Sequence, residues 1–243
     1  MSIVIGLKCD DGSLVIASDT AMSLRSEASY VSLKAKKIYD EGNYVFAMSG
    51  GVWINQKIRN LAKDIFGSKP EFTGEMFEGF LTGIGDILYN DIKRRLSANI
   101  ESRAEIKNSI VLDILMAYWD SKKGKNFIWV ADNSLKGRFV DEKFIVLSYG
   151  DLAYMPLKEF EDVEIGIEEG KLIVFKAIKD TLRLSPEFIA EPIDIVAIDK
   201  GGNIKRLNEK EIALLESAYQ TLRESTRAAL LSLVSKDKGT SRS

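Results

Sequence analysis

The chain has 243 residues, 34 Lys+Arg against 36 Asp+Glu for a net charge of −2, one cysteine and no histidine. The missing histidine excludes Ser-His-Asp and Cys-His catalysis within one chain, His-ligated zinc and an HExxH helix. The lone Cys9 excludes an intrachain disulfide and a CxxC pair, and the balanced charge argues against a general grip on nucleic acid or anionic membrane.

Any catalysis must take its base from a carboxylate, a lysine, a metal-bound oxygen or the chain's own amino terminus. Hydrophobic residues at 45% and charged residues at 29% suit a soluble globular protein. Four prolines and no Pro/Gly/Ser-rich linker favour one main domain. The Met1–Gly6 start lacks the basic and apolar regions of a signal peptide. No apolar run approaches the roughly 20 residues that span a bilayer. A cytoplasmic protein with a reduced Cys9 is expected.

In chain order, Ile3–Cys9 and Leu14–Asp19 flank Asp10-Asp11-Gly12, which predicts a β-hairpin with an Asp-Gly turn. An EF-hand reading of that turn lacks the later oxygen ligands and the closing Glu. Residues 20–33 are polar and mixed and read as a loop. Lys34–Tyr39 leads into a strand, and Tyr44–Met48 forms another. Ser49-Gly50-Gly51 then breaks the chain before helical periodicity at Val52, Ile58, Leu61, Ile65 and Phe66. A long helix is predicted from about Thr73 to about Ser97. Its Gly83-Ile84-Gly85 follows no strand, so a dinucleotide loop is not supported.

Residues 99–107 read as a polar connection. Strands follow at Ser109–Trp119, Phe127–Ala131, Gly137–Val140 and Phe144–Leu147. The basic Lys122–Lys125 turn reads as a solvated hairpin tip, because no helix N-terminus follows it to make a phosphate site. A short helix after Gly150 and one from Glu168 to Leu184 come next. Pro192–Asp199 and Asn203–Leu207 make a last hairpin around Gly201-Gly202. Asn208 caps a final helix with Glu211 at the capping-box position, and Lys236–Ser243 reads as a solvated tail. Antiparallel hairpins with helices in adjacent pairs fit sheets covered by helical layers, not a doubly wound fold.

Ser2, Asp19, Lys37 and Ser49-Gly50-Gly51 stand together near the start, and each is commonplace alone. With Gly6, Asp11-Gly12, Leu14–Asp19 and Lys36-Lys37-Ile38-Tyr39 between them, the series resembles a proteasome β-type subunit of the N-terminal nucleophile (Ntn) hydrolase superfamily. The resemblance extends more diffusely through Ser148-Tyr149-Gly150, Glu169–Ile178 and Ile193–Gly202.

The resemblance implies an α+β fold, a four-layer αββα sandwich of two antiparallel sheets covered by helices. It implies an Ntn hydrolase domain over 1–207, followed by a C-terminal helix and tail over 208–243. It also implies that Ser2 is the nucleophile after Met1 removal. Lys37 lowers the proton affinity of the site, Asp19 orients Lys37, and the Gly50 backbone N–H serves the oxyanion. No cofactor and no metal are implied. Expected partners are a protein or peptide substrate, further copies or related subunits in a ring, and an ATPase regulator.

The departures are specific. Serine replaces the family's usual threonine. Asp151 occupies the place of the loop serine, beside Ser148, and Ser185-Pro186 stands near the expected Asp-Ser region. Ser148, Asp151 and Ser185 are therefore candidates for a rebuilt supporting shell, or catalysis has been lost. Three readings stay open: an amide or peptide hydrolase in a self-compartmentalised ring, a non-catalytic ring subunit, and a small-molecule amidase or transpeptidase. The final helix is a candidate docking element, and packing on its own domain is the alternative.

Overall fold

The apolar runs at the chain start pair as an antiparallel hairpin, β1 (Ile3–Lys8) with β2 (Leu14–Ser18). Gly12 turns it at a φ of 86°, which a side chain would disfavour. The Asp11 carboxylate accepts the Ser13 N–H at 2.9 Å. The computed structural model describes residues 3–26, 29–50, 52–69, 71–96, 112–132, 134–148, 150–186 and 191–240. The chain divides into two compact units, Met1–Arg206 and Leu207–Ser243.

In the first unit the strands continue with β3 (Ala21–Ser26), β4 (Ser29–Lys34), β5 (Ile38–Asp40) and β6 (Tyr44–Gly50). Helices α1 (Val52–Phe66) and α2 (Gly74–Leu96) follow. Then come β7 (Leu112–Asp120), β8 (Lys125–Ala131), β9 (Gly137–Phe139) and β10 (Phe144–Ser148). Helices α3 (Gly150–Lys158) and α4 (Ile167–Leu184) precede the last pair, β11 (Asp194–Ile198) and β12 (Ile204–Arg206). One sheet runs β10-β1-β2-β11-β12 and the other β5-β6-β7-β8-β9, and all their pairings are antiparallel.

Strand alternation sorts the core. Val4, Leu14, Ile16 and Val196 of the first sheet pack against Val45, Ala47, Leu115 and Ile128 of the second. The intervening residues Tyr44, Phe46, Met48 and Met116 point the other way, into a cluster with Ile58, Phe66, Phe77 and Phe80 of α1 and α2. Phe66 is fully buried, with the rings of Tyr44, Phe77 and Phe80 within 5.9 Å. Truncating such a side chain to alanine costs about 3–5 kcal/mol.

Helix α4 covers the outer face of the first sheet. A Cβ at Gly170 would meet the Leu7 side chain at 2.9 Å and the Cys9 sulfur at 3.0 Å. Gly83, inside α2, packs instead against Leu61, where a Cβ would lie 2.7 Å from a methyl carbon. Helix–helix approach therefore explains this glycine. The result is the four-layer αββα sandwich that the resemblance implied, with the helix-covered sheets expected from the order of elements.

Two local readings are corrected. Residues 20–33 are not an irregular loop: β3 and β4 form a two-stranded ribbon, with Met22 opposite Leu33 and Leu24 opposite Val31. The period-two alternation of these four apolar residues is diluted by Ser, Arg and Glu, so it read as polar and mixed. In the second unit, α5 (Glu209–Thr240) takes in most of the expected tail from Lys236. No proline interrupts it. Its start is as expected. Asn208 accepts the Glu211 N–H at 3.1 Å, and Glu211 accepts the Asn208 N–H at 2.9 Å. The expected connection at 99–107 and the start of the strand at Ser109 lie outside the described residues.

Candidate active site

The β2 strand ends at Ser18, and β5 starts at Ile38, so Asp19 and Lys37 sit at strand ends of the two facing sheets. The Lys37 ammonium donates to Asp19 Oδ1 at 2.5 Å, with side-chain exposures of 6% and 0%. The Ile3 N–H donates to the same oxygen at 2.8 Å. The Lys37 carbonyl accepts the Met48 N–H at 3.1 Å, which pins the lysine backbone to β6. Burial pushes the Lys37 ammonium below its ordinary value, and the Asp19 charge and hydrogen bond oppose that. The hydroxyls of Ser18 and Thr20, which flank Asp19, are buried without a hydrogen-bond partner among the described residues.

Gly50 closes β6 opposite Leu112 of β7, two residues before α1 begins. Ser2 lies outside the described residues. Its chain neighbour Ile3 is fully buried and stands opposite Ser148 of β10.

Ser148 has a φ of 72°, outside the region L-residues prefer. That conformation breaks the strand alternation after Leu147, a residue of the inter-sheet core. The Ser148 hydroxyl donates to Asp113 Oδ2 at 2.9 Å and contacts the Ser49 hydroxyl. Ser49 and Asp113 are directly opposed on β6 and β7. Burial raises the Asp113 carboxyl above its ordinary value; the Ser148 hydrogen bond opposes this, and the Asp132 charge adds to it.

The structure thus joins Asp19, Lys37 and Ile3 in one hydrogen-bonded group and Ser148, Asp113 and Ser49 in another. Asp151 falls in the first turn of α3. Ser185 is the buried C-cap of α4, and its N–H donates to the Thr181 carbonyl at 2.9 Å. Sequence reasoning missed Asp113 and assigned no role to Ser49. One signal was available, a carboxylate inside the apolar run Leu112–Ala117, which a buried strand accepts only if the group is hydrogen-bonded. Cys9 is no rival nucleophile, because burial, then Asp11, Asp10 and Glu169, push its thiol up to about 12. Among the described residues no group of three or more His, Cys, Asp or Glu could hold a metal ion. No helix among them is long and apolar enough to cross a membrane.

Two antiparallel sheets between helical layers make this the Ntn hydrolase fold. No protein-family profile and no curated protein sequence matches the chain. Solved structures are similar in fold, and the structural neighbours include three Anbu proteins. The helical assembly of the Anbu complex from Pseudomonas aeruginosa has a TM-score of 0.71 at 12% identity, covering 96% of each chain. Anbu (ancestral beta-subunit) from Yersinia bercovieri has a TM-score of 0.66 at 12% identity, again over 96% of each chain. A Gly-1 mutant of Anbu from Hyphomicrobium sp. strain MC1 has a TM-score of 0.65 at 14% identity, over 95% of this chain and 96% of that one.

These neighbours correct the resemblance drawn from the sequence. They are Anbu proteins, not the proteasome β-type subunits that the motif series pointed to. Gly6, Asp19, Lys37 and Gly50 mark strand ends and a close contact within the sandwich, so their spacing reports the shared fold and not one family. At this identity the likeness establishes the fold alone.

Proposed function

We propose that the chain is an Ntn-type amide hydrolase working within an oligomer of Anbu-like subunits. One observation carries the reading. A desolvated lysine and the N–H of Ile3 both donate to one oxygen of the fully buried Asp19 carboxylate, beside the peptide bond that joins Ile3 to Ser2. A structural ion pair gains nothing from a lysine whose charge is disfavoured by burial, whereas a hydroxyl nucleophile gains a tunable cation.

Cleavage after Met1 would free the Ser2 amine, whose unperturbed pKa of about 7.7–8.0 lets it accept a proton near neutrality. The Ser2 hydroxyl adds to the carbonyl carbon of the substrate amide and passes its proton to that amine. The Gly50 N–H faces the developing oxyanion. The C–N bond breaks as the amine leaves with the proton, and water then hydrolyses the Ser2 ester. Peptides are the favoured substrate class, and a peptide panel against small amides separates the two. The helical assembly of the Pseudomonas aeruginosa neighbour supports an oligomer, which mass photometry and electron microscopy would show.

The test is intact mass combined with a β-lactone that esterifies N-terminal hydroxyls. The expected result is loss of Met1 and a single adduct, absent in Ser2→Ala. A retained Met1 with no adduct would overturn the reading and leave a non-catalytic subunit.

A further inference from the structure

The end of the sandwich remote from Asp19 and Lys37 carries two charged surfaces that the mechanism above does not use. Strand β1 leaves the candidate site at Ile3, β7 at Leu112 opposite Gly50, and β11 at Asp194 opposite Ser18. The turns that follow these strands therefore share the far end, and they are fixed to one another. The Asn126 side-chain amide donates to the Gly12 carbonyl at 2.9 Å and to the Asp199 carbonyl at 2.8 Å. The Asp10 N–H donates to the Ile165 carbonyl at 2.8 Å, and the Ile165 N–H donates back to the Asp10 carboxylate at 2.7 Å. The β1–β2 turn thus stands between the β7–β8 and β11–β12 turns on one side and the α3–α4 loop on the other.

The two sides differ in sign. On the first, Lys122, Lys123, Lys125 and Lys200 are exposed. The carboxylates beside them, Asp120 and Asp199, accept backbone N–H groups of their own turns. Lys122 meets Glu71 at 2.5 Å and Lys123 lies 3.7 Å from Asp120, but ion pairs with lysines this exposed contribute little. Lys125 and Lys200 make no ion pair among the described residues. Lys123 and Lys125 rest over the Phe127 ring, 4.9 and 4.8 Å from its centre, so pairing them orders little that is not already held. On the second side, Glu161, Asp162 and Glu164 are exposed around Val163 and make no ion pair among the described residues. Lys143, which donates to the Val163 carbonyl, is engaged by Asp10 at 2.9 Å. Backbone bonds from Glu161 to Lys158 and from Val163 to Phe160 fix the loop. Held on opposite sides of the β1–β2 turn, the two surfaces cannot neutralise each other within one chain.

We infer that this end face docks a second copy of the chain about a two-fold axis, with the lysines of each copy over the carboxylates of the other. A two-fold axis makes every such contact twice, which a face of two signs fits and a face of one sign resists. This rests on the oligomeric part of the reading above and uses none of its hydrolytic steps.

The experiment is sedimentation velocity of the full-length protein over a dilution series, at about 50 and 500 mM salt. Wild type is compared with Lys122→Glu/Lys123→Glu/Lys125→Glu and with Glu161→Lys/Asp162→Lys/Glu164→Lys, with a thermal melt of each. Salt should weaken the wild-type contact about 10-fold, because the charges lie at the surface. Each variant alone should raise its dissociation constant about 100-fold, because like charges then face each other. An equimolar mixture of the two variants should regain it, because an acidic face then meets a basic one, which a misfolded variant would not achieve. Association unchanged by both reversals would overturn the inference and leave the oligomeric reading standing. Loss in both variants without recovery on mixing would also overturn it. A wild type that stays monomeric throughout would overturn the oligomeric reading and this inference together.

Discussion

The three-residue strand β5 holds an ion pair between the sheets at each end, and the two pairs differ in kind. Before its first residue, Lys37 meets Asp19 in a site where neither is more than 6% exposed. At its last residue, Asp40 meets Arg206, whose side chain is 26% exposed and also binds Asp194 and the Ile38 carbonyl. Arginine spreads its charge over a planar fork and stays protonated, so it suits a fixed brace. Lysine concentrates its charge and gives it up when desolvated, which is poor for a brace and useful for chemistry. On the function proposed above, the buried pair serves the chemistry and the exposed one serves as the brace.

The sharpest way to break that contrast is at Lys37. Lys37→Met leaves Asp19 as a buried carboxylate without its cation. Removing one partner of a buried pair costs about 3–5 kcal/mol, read by urea denaturation, and N-terminal labelling should vanish. Lys37→Arg keeps a charge but forces a larger, never-neutral group into the same space. It should also lose labelling. Wild-type labelling of Lys37→Arg would show that any cation serves and erase the distinction.

Much of this was legible in the sequence, and the reasons are local. The β1–β2 hairpin and α1 were readable because period-two and helical patterns stand beside turn glycines. The Asn208–Glu211 cap was readable because its chemistry is contained within four residues. The Asp19–Lys37 pair was readable only through a motif series, since a residue spacing carries no contact. The β3–β4 ribbon was not readable, because serines dilute its alternation. Asp113 was missed for a different reason. Its partners lie 35 residues away on β10 and across the ladder on β6, and the backbone at Ser148 that turns its hydroxyl toward Asp113 leaves no mark in composition.

The brace should fail more mildly. Arg206→Lys loses the fork that reaches both Asp194 oxygens, Asp40 at 2.6 Å and the Ile38 carbonyl at 2.9 Å. A cost of about 1–3 kcal/mol in denaturation is expected, with labelling unchanged. Labelling lost in step with stability would merge the two pairs into one network. The acid dependence gives a smaller signal with a defined sign. Burial alone would raise the Asp40 carboxyl, but Arg206 and then Lys36 hold it below its ordinary value. Its folded value being depressed, its contribution is present above the unfolded carboxylate value of about 3.9 and is lost as pH falls through the folded value. Arg206→Met should therefore flatten the fall in stability of the wild type below about pH 4. A wild type and variant of equal acid slope would remove Arg206 as the cause.

The smallest effect is expected at Lys36, which also meets Asp40, at 3.6 Å, but is 52% exposed. Exposed pairs contribute about 0–1 kcal/mol because water screens them and ordering two side chains opposes them. Lys36→Ala should change stability by less than about 0.5 kcal/mol, and in 1 M salt, where the Debye length is about 3 Å, the change should disappear. Lys36 and Arg206 share one carboxylate, so their effects should not add. In the Arg206→Met background Asp40 keeps only Lys36 of these two cations, and removing it there should cost more than in wild type. Equal costs in both backgrounds would mean that Asp40 is neutralised by solvent rather than by its neighbours. Burial would then separate only Lys37 from the rest, in place of a graded series from 6% at Lys37 through 26% at Arg206 to 52% at Lys36.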